Sequence, residues 1–238
     1  MKPTDDSKEE SMGVVGEWNC DGSDLCAELA GSHSTEFSRT YEGYPRSRVL
    51  LETPNLALIV DISPLVEGHL LIVPKKHYFN FASAILDFPH EASKVTNFAR
   101  DWIRETYGLV ALFEHGSSSN ESGGACIVHA HVHVLPVAAT ELVAVMRRDE
   151  LGLDTASDAA SWTRVAGASR PYLLCSDGER TFVAFPQVRL RRQYLRSAAA
   201  EALGIPSPHW DWSLVIRKDL LRNTVRRYRS HHRTGDHI

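Results

Sequence analysis

The stretch from Cys126 to Pro136, which reads Cys-Ile-Val-His-Ala-His-Val-His-Val-Leu-Pro, constrains the fold of this 238-residue chain more than any other. Its histidines, His129, His131 and His133, alternate with apolar residues, which is the period of a β-strand and not of a helix. The pattern predicts an extended strand with the three imidazoles on one face of a sheet, roughly 7 Å apart from one to the next. The apolar neighbours then face a core.

Three interpretations fit a row of imidazoles on a half-buried strand. The first is a polar strand face with incidental histidines. The second is a metal site, which would need a carboxylate or thiolate from elsewhere in the chain. The third is nucleophilic catalysis, in which the middle ring attacks while its neighbours orient it and move protons. The histidine row alone leaves these three interpretations open.

Two upstream segments narrow the choice, residues 57–64 (Ala-Leu-Ile-Val-Asp-Ile-Ser-Pro) and residues 68–77 (Gly-His-Leu-Leu-Ile-Val-Pro-Lys-Lys-His). In order and spacing, these segments and the histidine row resemble the histidine triad (HIT) superfamily over roughly residues 20–140. The resemblance implies an α+β, HIT-like fold, with a bent antiparallel sheet of about five strands and packed helices. It also implies a nucleotide hydrolase or transferase that works through a covalent nucleotidyl-histidine.

The resemblance assigns roles to individual residues. His131 is the expected nucleophile, His129, His133 and His69 are the expected supporting catalytic residues, and Asp61 is expected to bind the hydroxyls of a ribose. Taken alone, a carboxylate at a strand end such as Asp61 also fits a turn aspartate, and His69 also fits a surface histidine.

A polar loop that ends in glycine, residues 117–124, precedes the histidine row and can present backbone N–H groups to a phosphate. The resemblance implies that this loop and its surroundings bind substrate, through Glu114, Gly123, Gly124 and Cys126. Glu114 stands where the family often has asparagine, and Ala125-Cys126 where it often has Gln-Ser. Because a thiol is a weak donor, we expect these departures to change substrate identity and rate more than reaction type. Glu114 and His115 are candidates for a substitute acid–base or recognition pair.

Cysteines near the start of the resemblance suggest a second feature. Many triad proteins hold a structural zinc through a Cys-x-x-Cys pair and two histidines, and here Cys26 fits that pattern while Cys20 lies outside its spacing. Zinc on Cys20, Cys26, His69 and His129 and a loop with two free thiols both remain open. The proposed chemistry itself requires no metal or other cofactor.

The chain divides into four regions by pattern: a disordered acidic leader (1–16), a HIT-like catalytic domain (17–148), a C-terminal extension with a hairpin and two helices (149–230) and a flexible tail (231–238). Within them we predict a hairpin of strands 48–52 and 56–60 and a helix at 90–107 that ends at Gly108. In the extension we predict a hairpin at Asp177-Gly178 and helices at 188–203 and 217–228.

Composition excludes some classes of function. No apolar run approaches the roughly 20 residues needed to cross a bilayer, and the polar start is no signal peptide, so we expect a cytoplasmic protein. The net charge of −4 makes nucleic acid an unlikely partner. Residues 189–233, however, carry eleven Arg and Lys against three acidic residues. These arginines are either solvated helix faces or contacts for a polyanionic substrate. The resemblance implies a homodimer through helix 90–107 and the sheet.

The interpretation that we favour is a hydrolase that cleaves an adenylyl phosphoramidate or phosphoanhydride and releases a nucleoside monophosphate. A nucleotidyltransferase or phosphorylase could use the same intermediate. Family transferases of the galactose-1-phosphate uridylyl type carry glutamine as the third residue of the triad, so His133 favours hydrolysis. A non-catalytic nucleotide-binding protein is the third alternative.

Overall fold

The computed structural model describes residues 23–117, 127, 129–166 and 170–232. Its described strands form one antiparallel sheet of eight strands in the order β1-β2-β3-β5-β4-β7-β8-β6. The strands are β1 (Val49–Glu52), β2 (Leu56–Val60), β3 (Leu70–Pro74), β4 (Ala111–Gly116), β5 (Val132–Leu135), β6 (Asp154–Ser157), β7 (Tyr172–Ser176) and β8 (Arg180–Ala184). The α+β class is therefore confirmed, but the expected count of about five strands was too low.

The extra strands come from the C-terminal extension. Five of the described strands lie before residue 149, and β7 then pairs with β4 along its full length, from Leu112 opposite Ser176 to Gly116 opposite Tyr172. The β7–β8 hairpin turns at Gly178, as predicted, and β6 pairs with β8 at the sheet edge. Such long-range pairing has no local signal in the sequence, because register depends on the partner strand.

Helices cover both faces of the sheet. They are α1 (Asp24–Leu29), α2 (Glu36–Tyr41), α3 (Phe81–Asp87), α4 (Pro89–Tyr107), α5 (Ala139–Arg148), α6 (Asp158–Ala166), α7 (Tyr194–Ala202) and α8 (Lys218–His232). The core on one face includes side chains from α3, α4, α6 and α8, and the core on the other face includes side chains from α5 and α7. The extension is therefore part of both cores.

Several predicted elements are confirmed and others differ. The 48–60 hairpin and the helix at 90–107 are present, and Gly108 ends that helix with φ +85°, a conformation that glycine adopts at low cost. The helix predicted from residue 188 begins at Tyr194, because Gln193 before it is left-handed with φ 56°. Helices α1, α2, α3 and α6 and strand β6 were not predicted.

The homodimer stays a prediction, and the surfaces on which it relied are partly covered within this chain. Helix α8 packs on α4, where the Tyr228 ring lies edge-on to Trp102 with ring centroids 5.2 Å apart. Strand β7 occupies the edge of β4. A second copy of the chain could not pair with the edge of β4 unless β7 were displaced.

Candidate active site

The histidines lie where β3, β5 and β4 meet, on the sheet face that α5 and α7 cover. His133 in β5 stands opposite Leu71 on one neighbouring strand and opposite Phe113 on the other, so the three side chains share that face. The His133 ring stacks on Phe113 with centroids 4.6 Å apart. The predicted extended strand is shorter than expected, since β5 begins at Val132 and the other two histidines of the row precede it.

His131 is oriented by the backbone beside it. Its Nδ1 lies 2.8 Å from the carbonyl oxygen of His129, so Nδ1–H donates and the lone pair of a neutral ring stays on Nε2. Burial lowers the pKa of His131, although the hydrogen bond to the carbonyl opposes that effect. The ring is half-buried and uncharged at neutral pH. Nε2 is therefore available as a nucleophile.

His69 and His133 form a second oriented pair. The backbone N–H of Leu65 donates to His69 Nδ1 at 3.2 Å, which leaves the proton of a neutral ring on Nε2. His69 Nε2 lies 2.8 Å from His133 Nδ1, so His69 donates and His133 accepts. In neutral His133 the remaining proton is then on Nε2. Burial lowers the pKa of His69 to about 3 and that of His133 well below its usual range, which keeps both rings neutral.

Asp61 lies beside this pair and is almost completely buried, with 5% of its surface exposed. Its Oδ1 accepts the Ser63 backbone N–H at 2.8 Å, and its Oδ2 lies 3.1 Å from Arg196 Nη1 of helix α7. Burial would raise the pKa of Asp61, but the Arg196 guanidinium holds it well below its usual range. The predicted binding of ribose hydroxyls stays a prediction, and in this conformation a diol would have to displace Arg196.

Glu114 is not brought together with the histidines. It follows Phe113 in β4, so strand alternation turns it to the opposite sheet face. There its carboxylate accepts the Phe81 backbone N–H and the Tyr172 hydroxyl, each at 2.5 Å. Burial raises the pKa of Glu114 to about 7 despite these two donors. Its partner in the suggested pair, His115, is on the histidine face, and burial and then the charge of His131 lower its pKa to about 4.

The predicted zinc ligands separate into two groups. Cys26 Sγ lies 3.0 Å from His129 Nδ1 and 3.5 Å from His77 Nδ1. His69, the predicted fourth ligand, belongs instead to the hydrogen bond with His133, so His77 replaces it as the neighbour of Cys26. His77 was not among the predicted ligands. Strand β3 ends at Pro74 and bends follow at residues 75–76, so no strand periodicity in the sequence indicates where its side chain lies.

The chemistry of this group fits zinc. One thiol and two imidazole nitrogens lie within 4.8 Å of one another, a donor set found in tetrahedral zinc sites. His129 Nε2 donates to the Pro74 carbonyl at 2.6 Å, which leaves the Nδ1 lone pair directed to Cys26. Asp61, His69 and His133 also cluster, but the hydrogen bond between the two rings and the Arg196 contact account for that geometry.

Four predicted site residues lie outside the described part of the chain: Cys20, Gly123, Gly124 and Cys126. The same holds for residues 118–124 of the predicted phosphate loop and for the predicted leader. The predicted tail lies outside it only from residue 233 onward, because α8 continues to His232. Among the described residues, no helix has both the length and the apolar character needed to cross a membrane.

Sequence comparisons with known proteins find one family over the N-terminal part of the chain. The HIT domain family model matches residues 43–140. An uncharacterized HIT-like protein of Chlamydia muridarum is 33% identical over 110 residues, which cover 44% of this chain and 82% of that protein. An adenosine 5′-monophosphoramidase of Candida albicans is 27% identical over 115 residues, which cover 45% of this chain and 73% of that protein.

Among solved structures, a HIT family protein of Bacillus anthracis aligns with 61% of this chain and 89% of its own, at 18% identity and a TM-score of 0.39. The family match ends before the extension. The triad with its two upstream segments, the family model and the Chlamydia relative together show that the chain belongs to the HIT family.

Proposed function

We propose that this chain is a nucleotide hydrolase that cleaves an adenylyl phosphoramidate or phosphoanhydride through a nucleotidyl group on His131. The observation that carries the proposal is the hydrogen bond from His131 Nδ1 to the His129 carbonyl. It leaves the Nε2 lone pair free on a neutral ring, which is the form that can attack phosphorus. The similarity to the Candida albicans monophosphoramidase supports an adenylyl substrate.

In the first half of the reaction, His131 Nε2 bonds to the α-phosphorus and the bond to the leaving nitrogen or oxygen breaks. Water then attacks the same phosphorus, releases the nucleoside monophosphate and restores His131. The proton that the leaving atom takes up is balanced by the proton that water gives up. His133, with its proton on Nε2, is the group available to hydrogen-bond the phosphoryl oxygens or the leaving atom.

Charge that develops on the phosphoryl oxygens needs donors directed at it. Backbone amides of the glycine-ended loop before the triad are the candidates that the sequence offers. This chemistry needs no metal. Zinc on Cys26, His77 and His129 would have a structural role, joining α1 to the residues that precede the nucleophile.

The test is release of nucleoside monophosphate from an adenosine phosphoramidate, two diadenosine polyphosphates and a nucleotide sugar, with and without added phosphate. We expect the wild type to release AMP in water, and His131→Ala to lower the rate by a factor on the order of 10³ or more. The exposed His90 on α4 provides the matched control, His90→Ala, which should keep the wild-type rate.

Release that requires added phosphate would assign the chain to the phosphorylases. Equal slow release by the wild type and His131→Ala would refute the nucleophile. A binding protein would then be the better account.

A further inference from the structure

The extension holds the segment that carries His69. We call residues 61–69, which link β2 to β3, the 61–69 turn. Hydrogen bonds join it to the extension at several points, among them Arg196 Nη1 to Asp61 and Arg217 Nη1 to the Leu65 carbonyl at 2.8 Å. In the other direction, Ser63 Oγ donates to the Val215 carbonyl at 2.7 Å, and the Gly68 N–H donates to Thr224 Oγ1 at 2.9 Å. The turn is therefore fixed by residues more than 120 positions away in the chain.

Arg196 makes two of these hydrogen bonds from inside the protein. The residue is 4% exposed, and its guanidinium donates in three directions: Nε to the Trp210 carbonyl at 2.6 Å, Nη1 to Asp61 at 3.1 Å, and Nη2 to the Ser63 carbonyl. A buried arginine with its donors satisfied is rigid, because the planar fork allows one orientation. Its charge and that of Asp61 compensate each other inside the protein.

The 61–69 turn determines where the protons of the histidine pair lie. The Leu65 N–H fixes the His69 tautomer, and His69 in turn fixes the tautomer of His133. Asp61 is a potential competitor in this arrangement, because its Oδ2 is 3.9 Å from His69 Nε2. A carboxylate released by Arg196 could accept the Nε2–H of His69, and His133 would then lose its donor.

We propose that Arg196 is a positioning residue of the active site: by holding Asp61 and the 61–69 turn, it keeps the Nε2–H of His69 on His133 and so keeps the proton of His133 on Nε2. Its effect on catalysis rests on the proposed hydrolase function, whereas the tautomers can be observed without any substrate. The extension thus completes the catalytic geometry of the part of the chain that the HIT model matches.

The charge of Arg196 acts in the same direction as its hydrogen bonds. Asp61 favours the charged form of His69 and raises its pKa, and Arg196 opposes that effect and lowers it. The same two opposite contributions apply to His133, where burial and the neighbouring rings are larger causes of its lowered pKa. Loss of Arg196 would therefore weaken both the geometry and the neutrality of the pair.

The test compares ring tautomers in 15N-histidine-labelled full-length protein at pH 7.5, from long-range 1H–15N correlation spectra without substrate. The wild type should show His69 and His133 each protonated on Nε2. Arg196→Met should shift His133 toward the Nδ1–H form or a mixture. Arg191→Met is the control, since Arg191 contacts Ser197 and Asp149 and does not reach the 61–69 turn. It should leave both rings unchanged.

Two further variants keep the test decisive if Arg196→Met unfolds. Arg196→Lys retains the charge but cannot reach three acceptors, so it should produce a smaller shift in the same direction. Adding Asp61→Asn to Arg196→Met removes the competing carboxylate and both buried charges, and should restore the Nε2–H form of His133. A folded Arg196→Met or Arg196→Lys protein with unaltered tautomers would overturn the proposal.

Kinetics provide the second measurement. If the chain hydrolyses any substrate of the panel, Arg196→Met should lower kcat by about 10- to 100-fold and change KM by less than about threefold, because the loss concerns orientation and not binding. Unchanged kcat alongside shifted tautomers would overturn the catalytic part of the proposal. Absence of turnover in the wild type would refute the proposed function, whereas the spectra would still decide the role of Arg196.

Discussion

Replacement of Glu114 by glutamine should change the free energy of unfolding more favourably at high pH than at low pH. The buried carboxylate has two donors, the Phe81 N–H and the Tyr172 hydroxyl, yet burial raises its pKa from 4.5 to about 7. Because the pKa is higher in the folded state than in the unfolded state, proton binding to Glu114 stabilises the folded protein. This contribution to the free energy of unfolding is complete below pH 4.5. It is lost as the pH rises to 7 and above, where the buried group ionises.

The magnitude follows from the two pKa values. The unfolded chain ionises this carboxyl more readily than the folded protein does, and this difference stabilises the unfolded state. Compared with a group that stays neutral in both states, the cost to folding is about 3.4 kcal/mol at pH 8.5 and about 1.4 kcal/mol at pH 5.5. Glu114→Gln removes this cost at both pH values. Any packing change caused by the amide is the same at both, so the gain should be larger at pH 8.5 by about 2 kcal/mol.

Urea unfolding of the wild type and Glu114→Gln at the two pH values measures this difference. In thermal scans it corresponds to roughly 4–8 °C for a chain of this size. Glu105→Gln, at an exposed position on α4, is the control and should show no such dependence. An equal effect of Glu114→Gln on the free energy of unfolding at pH 5.5 and pH 8.5 would refute the raised pKa of this carboxyl. The effect of the substitution would then come from packing alone.

Three further outcomes are expected. Arg48→Met should lower the free energy of unfolding, measured with urea, by about 3–5 kcal/mol, because the nearly buried Glu28 carboxylate loses both of its guanidinium contacts. A loss under 1 kcal/mol would contradict this. Zinc added to chelator-treated wild-type protein should raise Tm, and Cys26→Ser should abolish the rise. An equal rise in the wild type and in Cys26→Ser would exclude the zinc site at Cys26. Gly116→Ala should lower the free energy of unfolding in urea by roughly 1–3 kcal/mol, because its Cβ would lie 2.3 Å from the Tyr172 ring. A variant as stable as the wild type would contradict that contact.

Part of the candidate site could be predicted because its signals are local. The alternating pattern indicates the strand that holds His133, and the segments around Asp61 and His69 have the family order. The hairpin at Gly178 and the helix end at Gly108 follow from backbone conformations that glycine favours. Each of these features depends on residues within one strand, helix or turn.

The features that were missed depend on long-range pairing. The face on which Glu114 lies depends on its register with β5 and β7, which no local pattern encodes. Arg196 is separated from Asp61 by 135 positions and looks, in sequence, like one more arginine of a basic helix. The eight-stranded sheet was missed for the same reason. The strands of the extension join it through the pairing of β7 with the edge of β4, and no local pattern in the sequence specifies that partner.

The most direct test of the account is the site of the covalent intermediate. Wild-type protein mixed with adenosine 5′-phosphoramidate and quenched in base, where a phosphorus–nitrogen bond to histidine persists, would be digested and analysed by mass spectrometry. We expect one adenylyl group, carried by His131, and no such group in His131→Ala. An adenylyl group on another residue, or release of AMP with no adduct at any mixing time, would contradict the proposed mechanism.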